Sequence, residues 1–340
     1  MNASYIEVYN KYLEFKKPNI SEGSFKTLEK LRDKIKKYEQ AKKKVLHLSD
    51  MTVEWFQHFI KGLTNGKYGK CTNGTLKLYV ICINGFLNHC EVFGYMVNRD
   101  YIKFKEYMKA YKVPKFNRPI ITDEELANLW KHKGYHRLND VFVPLTNYNE
   151  KVRDLFVFQT QVGFRWGDIS RLTRGDIITN NGKYYVNNFN TEKRKVNVSV
   201  QLNDLAMLII RKYSKRFDKL SAKTVVFKDV PDCSNANHKL KWVAKKAGIA
   251  RKVEVQKGRL DKVKKVKLPL SKVISTHIAR AKFATDWIVA GKDIYKLKII
   301  LGHASIKTTE RYIRTLPGWL PDGIDTDMNE SQKLLFELST

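Results

Sequence analysis

Leu28, Leu31, Ile35 and Tyr38 fall at the 3.6-residue spacing of one helix face, and Trp55, Phe56, Phe59, Ile60 and Leu63 repeat the pattern. Each run follows a residue able to cap a helix, Ser24 for the first and Asp50 or Thr52 for the second. A short oxygen side chain there accepts the unpaired N–H groups of the first turn. A third helix is predicted from about Thr75 to Phe93, with Leu78, Cys82, Phe86 and His89 on one side. These stripes predict a plain helical core for the first third of the chain. The Lys-rich stretch Lys34 to Lys44 reads as a solvated face that could also track phosphates.

Two prolines, Pro114 and Pro119, in the polar and basic stretch Val113 to Pro119 cannot continue a helix and predict an extended linker. Thr122-Asp-Glu-Glu125 then opens a new helix with a capping-box pattern. Beyond it the pattern predicts an apolar helix ending near Thr160, a short helix from Gly167 to Leu172, and two alternating strands, Lys183 to Phe189 and Lys195 to Val200. Helices follow at about Asn203–Phe217, Asn235–Ala247, Thr276–Ala290, Asp293–Leu301 and Ser305–Ile313. Residues 251–267 hold eight basic and two acidic residues with no clear period, so they read as a solvated loop or a phosphate-contacting insertion. Residues 314–328 have a linker composition, and Leu334, Leu335 and Leu338 share one helical face. The expected fold is mainly α with a small β-sheet. Its parts are a helical domain over 1–112, a linker over 113–121, a mixed α+β domain over 122–328 and a C-terminal helix over 329–340.

Charge changes the picture next. The 340 residues hold 64 Lys and Arg against 34 Asp and Glu, a formal +30 at pH 7. With 43% apolar residues this is a folded basic protein, not a disordered polycation. A surface of that sign favours polyanions, of which nucleic acids and anionic membranes are the common ones. No run approaches the ~18 apolar residues of a membrane span, and the N-terminus lacks a signal pattern. Nucleic acid is therefore the expected partner and the cytoplasm, in association with the nucleoid, the expected location. Residues 1–120 carry a balance of +12 and the rest +18, so both domains are expected to grip one substrate. Cys71, Cys82, Cys90 and Cys233 have no CxxC spacing and read as buried thiols, with His89 beside Cys90 an accident of sequence more than a zinc pair.

No single residue of the second domain demands chemistry; together, several fit one reaction. Arg165 stands in Gly163-Phe-Arg-Trp-Gly167, between two helices. His277 and Arg280 are three apart and share a helix face. His303 follows Leu301-Gly302 at a helix end, and Tyr312 lies nine residues on. Two arginines supply planar forks for the non-bridging oxygens of a phosphodiester, two histidines hydrogen bonding or proton transfer, and a tyrosine a nucleophilic oxygen.

The order and spacing of Arg165, Thr276-His-Ile-Ala-Arg280, Leu301-Gly-His303 and Thr308-Thr-Glu-Arg-Tyr312 resemble the tyrosine recombinases, or phage-type integrases. The segment Thr160 to Asp176 is similar to the family's first-arginine box, particularly in integrases and transposases of Bacteroides-like bacteria, and the N-terminal helices resemble its core-binding domain. The resemblance implies that Arg165 and Arg280 hold the scissile phosphate and that Tyr312 attacks to form a 3'-phosphotyrosyl enzyme. It also implies that His277 manages the nucleophile's proton and that His303 hydrogen-bonds the phosphate. The family uses a lysine on a β-hairpin as general acid. Lys193, in the turn Asn190 to Lys195, fits that place best, and Arg194 or Lys195 could also occupy it. Ala281 and Lys282 depart from the His-Ser/Thr often found after the second arginine, which bears on packing near the site. No metal and no cofactor is implied, since arginine meets the phosphate charge. The implied partners are double-stranded DNA, a homotetramer on two DNA sites linked by exchanged C-terminal helices, and accessory DNA-bending proteins.

Two other readings compete. A type IB topoisomerase uses a similar site to relax DNA, but the small helical N-terminal half and the Leu-Gly-His box favour a recombinase. A DNA-binding accessory protein without catalysis is disfavoured by the presence of every chemically required residue type.

Overall fold

The computed structural model describes residues 3–111, 113, 119–136, 142–193, 195–259 and 262–313. Arg194, most of the expected linker, and the whole expected C-terminal helix lie outside the described residues. The chain divides into two compact units, one of residues 1–116 with 256–266 and one of 117–255 with 267–340.

The first unit is helical: α1 (Tyr5–Lys16), α2 (Glu22–Lys42), α3 (Val53–Asn65), α4 (Asn73–Val92) and the single turn α5 (Phe104–Tyr107). The cap of α2 is Ser21, whose hydroxyl accepts the Ser24 N–H at 3.3 Å, so the cap lies three residues before the expected Ser24. Thr52 caps α3 by accepting the Trp55 N–H. The buried stripe of α4 is Leu76, Tyr79, Val80, Ile83, Phe86, Leu87 and Cys90, while Leu78 is exposed. The expected face through Leu78 and Cys82 is therefore wrong. α4 is apolar nearly all round, and the broader stripe, which removes more area from water, turns inward. Its Phe86 meets Tyr9 of α1 edge-on at 4.7 Å, and Phe56 stacks on Phe104 at 4.2 Å. His89 lies between the rings of Phe15 and Phe93. All four cysteines are thiols; Cys71 and Cys90 are buried as expected and Cys82 is partly buried, while Cys233 is exposed where burial was expected, because it opens a helix on the surface.

The second unit starts with α6 (Asp123–Lys131), whose Thr122–Glu125 capping box is present as expected. A short hairpin of β1 (Gly134–His136) and β2 (Phe142–Pro144) leads to α7 (Asn147–Val162) and the single turn α8 (Trp166–Ile169). The antiparallel sheet then follows in the order β3 (Ile177–Asn180), β4 (Lys183–Asn190) and β5 (Asn197–Leu202). Val186 faces Val200 and Phe189 faces Val198, with a register shift between them at left-handed Asn188. β5 starts two residues later than expected, because Lys195 is itself left-handed, φ 52°, and belongs to the turn.

Next come α9 (Asp204–Tyr213), shorter than expected because Ser214 breaks it, and α10 (Cys233–Lys246). Residues 251–267, expected as a loop, form most of a two-stranded sheet of β6 (Lys252–Arg259) and β7 (Lys262–Pro269), whose residues 256–266 group with the first unit. Val253 and Val255 are buried while Lys252 and Glu254 are exposed, an alternation that the density of lysines hides in the sequence. The unit closes with the turn α11 (Leu270–Val273), α12 (Thr276–Val289), α13 (Ile294–Ile300) and α14 (Ile306–Ile313).

A charge network centred on fully buried Arg153 and Asp154 fastens this unit. Arg153 on α7 donates to Asp154, to Glu150 and to the His132 carbonyl, while Lys212 and Tyr213 of α9 donate to Asp154. Each buried cation thus has its carboxylate, the condition under which buried charge is tolerated. Lys282, the departure noted after Arg280, is nearly buried and pairs with Asp286 and with Asp123 at the start of α6.

Candidate active site

The first corner of the site is made by the end of α7. Gly163 is left-handed at φ 69°, and a Cβ there would come within 2.4 Å of Phe283, so the position demands glycine twice over. Its turn is held by the Gln159 side chain, which donates to the Phe164 carbonyl at 2.7 Å. Arg165 thereby sits at the N-cap of α8 with its side chain 19% exposed. Its Nη1 is 3.8 Å from Asp168 Oδ2, too far for a hydrogen bond, and both atoms are buried with no hydrogen-bond partner among the described residues. The other carboxylate oxygen, Asp168 Oδ1, accepts the Glu192 N–H at 2.9 Å from the β4–β5 turn.

The second corner is the N-terminal half of α12. Ser275 offers no side-chain cap, and Asn237 of α10 supplies one by accepting the Thr276 N–H at 2.8 Å. His277 is exposed in the first turn, and Arg280 is buried one turn on. Arg280 Nη1 donates to the Gly163 carbonyl at 2.7 Å; Nη2 donates to the Leu301 carbonyl and lies 3.1 Å from His303 Nε2. One guanidinium therefore joins the ends of α7 and α13. Burial pulls its pKa down to about 10; the nearby Tyr312 hydroxyl and the Asp168 carboxylate oppose that shift, and the charge of Arg165 adds to it.

The third corner is Leu301-Gly302-His303. Gly302 is left-handed at φ 59°, and a Cβ there would meet Val196 at 3.0 Å, so this corner rests directly on the β4–β5 hairpin. The His303 ring lies parallel to that of Tyr312, 13° apart with centroids at 6.1 Å, and its Nδ1 is 2.9 Å from the buried Thr309 hydroxyl. Tyr312 is 8% exposed on the inward face of α14. Arg165, Arg280, His303 and Tyr312 are thus gathered by three chain corners far apart in sequence.

The turn that closes β4 and β5 is fixed by Thr191, whose N–H and hydroxyl both donate to the Val196 carbonyl, at 2.9 and 3.0 Å. Lys193 and Lys195 project from it, both exposed. Arg165 facing the buried Asp168 carboxylate, and buried Arg280 beside the Tyr312 phenol, form a centre suited to a tetrahedral or trigonal-bipyramidal phosphorus bearing negative oxygens.

The sequence matches the phage integrase family over residues 132–317 and the phage integrase SAM-like domain over residues 4–113. The chain belongs to the phage integrase family. It is therefore a tyrosine-type site-specific recombinase. No curated protein matches the chain. Among solved structures this integrase is similar to the Tn1549 transposon integrase in complex with transposon right end DNA, at TM-score 0.63 and 12% identity over 99% of this chain and 100% of that one. It is also similar to a lambda integrase dimer bound to a COC' core site, at TM-score 0.60 and 14% identity over 96% of this chain and 99% of that one. The XerH recombinase bound to a palindromic difH substrate gives TM-score 0.55 at 15% identity over 84% and 76%. At these identities the likeness is one of fold.

Three residues of this integrase escaped the sequence reading: Asp168, Asn237 and Thr309. Asp168 looks like an ordinary acid in the first turn of a helix, Asn237 caps a helix 39 residues away, and Thr309 sits inside a helix as any polar residue might. The spacing of Asp168 three after Arg165 is the one local signal that was available.

Proposed function

We propose that this integrase cleaves and rejoins double-stranded DNA through a 3'-phosphotyrosyl intermediate. The observation that carries the reading is the pair Arg165 and Arg280, with the buried Nη1 of Arg165 lacking a hydrogen-bond partner among the described residues, beside the Tyr312 hydroxyl. A buried donor without an acceptor costs about 1–3 kcal/mol, and a phosphoryl oxygen would relieve it.

In the proposed reaction the Tyr312 oxygen attacks the phosphorus in line, the P–O5' bond breaks, and the 5'-oxygen leaves with a proton. A free tyrosine is phenolate in only about one molecule in a thousand at pH 7, a deficit of roughly 4 kcal/mol, so the attack calls for a base that takes the proton. His277, exposed at the start of α12, takes the phenol proton. Lys193 gives the proton to the departing oxygen, an alkoxide being a poor leaving group. Attack by a 5'-hydroxyl of another strand reverses these steps and joins new partners. The phosphoester bond energy is kept throughout, so no nucleotide cofactor is consumed. Residues 1–112 and 122–328 are read as two DNA-binding domains on the same duplex, with a tetramer holding two duplexes and accessory DNA-bending proteins directing the outcome toward integration, excision, inversion or transposition.

The test is strand joining between two short duplexes carrying the repeats that flank the gene, run beside relaxation of a supercoiled plasmid. Recombinant joints support a recombinase. Relaxation without joints would assign a topoisomerase-like activity, and neither product would leave a binding protein.

A further inference from the structure

His303 is held at both ring nitrogens, and the two partners differ in what they can do. Nε2 faces Arg280 Nη2 at 3.1 Å and Nδ1 faces Thr309 Oγ1 at 2.9 Å. A guanidinium has donors only, so Nε2 presents its lone pair, and a neutral His303 carries its proton on Nδ1, donated to the Thr309 hydroxyl. Thr309 is fully buried. It lies three residues before Tyr312, so the two side chains share one face of α14.

The geometry points to Thr309 as a positioning residue that acts through His303. By holding Nδ1–H, its hydroxyl leaves Nε2 as the end of the ring that faces the reacting centre. Without DNA, Nε2 accepts from Arg280. Beside a phosphoryl oxygen, which only accepts, Nε2 takes a proton from bulk water and becomes a donor, while Nδ1–H stays on Thr309. No other proton moves. Among the described residues the ring faces Arg280 of α12 and Tyr312 of α14, with Arg165 and Asp168 of α8 acting on it through Arg280. The inference rests on reading the site as one that cleaves a phosphodiester, and one of its tests does not.

The test independent of activity is imidazole nitrogen NMR of the full chain labelled at histidine, with His303→Asn identifying the resonance. The expected result is a single Nδ1–H tautomer in the wild type and in Thr309→Ser, and in Thr309→Val, where Arg280 still faces Nε2, an Nδ1 resonance shifted by the loss of its acceptor. An Nε2–H tautomer in the wild type, or an unchanged spectrum in Thr309→Val, would overturn the inference whether or not the chain cleaves DNA. The second test is covalent-adduct formation on a nicked duplex. Thr309→Val should slow it about 10- to 100-fold, the size of one hydrogen bond to an ionised group. Thr309→Ser should restore it, and the effect of Thr309→Val should vanish in a His303→Asn background. Equal losses for Ser and Val, or an undiminished effect without His303, would show that Thr309 acts only on packing. A wild type that forms no adduct would contradict the proposed reaction and leave the tautomer result to decide the inference.

Discussion

Asp168 Oδ1 accepts the backbone N–H of Glu192 at 2.9 Å. That bond ties the helix turn following Arg165 to the β-hairpin turn that carries Lys193. Replacing Asp168 by Ala should therefore loosen both at once, while Asp168→Asn, which still offers an oxygen, should keep the turn in place.

The lysine itself is open to a chemical test. Lys193→Ala should slow cleavage strongly at a normal 5'-oxygen and far less at a 5'-bridging phosphorothiolate, whose sulfur leaves without a proton. Equal defects on both substrates would exclude Lys193, and the same comparison on Lys195 should then show the rescue.

Arg165 and Arg280 should differ in stability and agree in chemistry. Either Ala variant should slow cleavage by roughly two to three orders of magnitude, as loss of one transition-state donor does. Arg280→Ala also orphans the Gly163 and Leu301 carbonyls, at about 1–3 kcal/mol for each buried group, so its melting temperature should fall by several degrees. Arg165 donates to no described residue at Nη1, and its removal should cost much less. Thermal melts of the two variants, read beside their cleavage rates, check both halves.

The buried network gives a pH prediction. Burial alone would raise the Glu150 carboxyl, but Lys212 and Arg153 outweigh it and hold the group below the ordinary value of 4.5. A depressed acid stabilises the fold above its unfolded pKa and loses that contribution as pH falls through the folded one. The melting deficit of Glu150→Gln should thus be full at pH 7 and shrink below about pH 4.5. Asp154→Asn, which removes the buried carboxylate from Arg153 and leaves it only the partly exposed Glu150, should cost up to about 3–5 kcal/mol in denaturant unfolding.

How much of this was readable beforehand depended on whether a residue's partner was local. The His277–Arg280 pair, the Gly302 corner and the Thr122 cap are local patterns, and the helices that carry them were legible. The α1 stripe was not, because its buried face contains Tyr5, Tyr9 and Tyr12, whose hydroxyls dilute an apolar signal. The β6–β7 strands were hidden because one buried face needs only Val253 and Val255, and lysines fill the other positions. Asp168, Asn237 and Thr309 each serve a partner supplied by tertiary structure, which no spacing along the chain records.

Binding should depend steeply on salt. With six to ten phosphates neutralised, affinity should fall by ~10³ to 10⁵ between 50 and 200 mM. Lys252, Lys264, Lys265 and Lys267 are exposed on β6 and β7. Replacing all four by Gln should lower the slope by roughly 0.9 for each phosphate that is no longer neutralised. An unchanged slope in binding titrations would mean that these strands only cover the fold.

The central claim is that Tyr312 becomes linked to DNA. A nicked duplex that lets the short cleaved strand diffuse away should trap the adduct, and digestion followed by mass spectrometry should place a 3'-phosphate nucleotide remnant on the peptide containing Tyr312. Tyr312→Phe, which removes one oxygen and no charge, should bind the same duplex with nearly unchanged affinity and give no adduct. An adduct on another residue, a link to a 5'-end, or an adduct that persists in Tyr312→Phe would contradict the assignment.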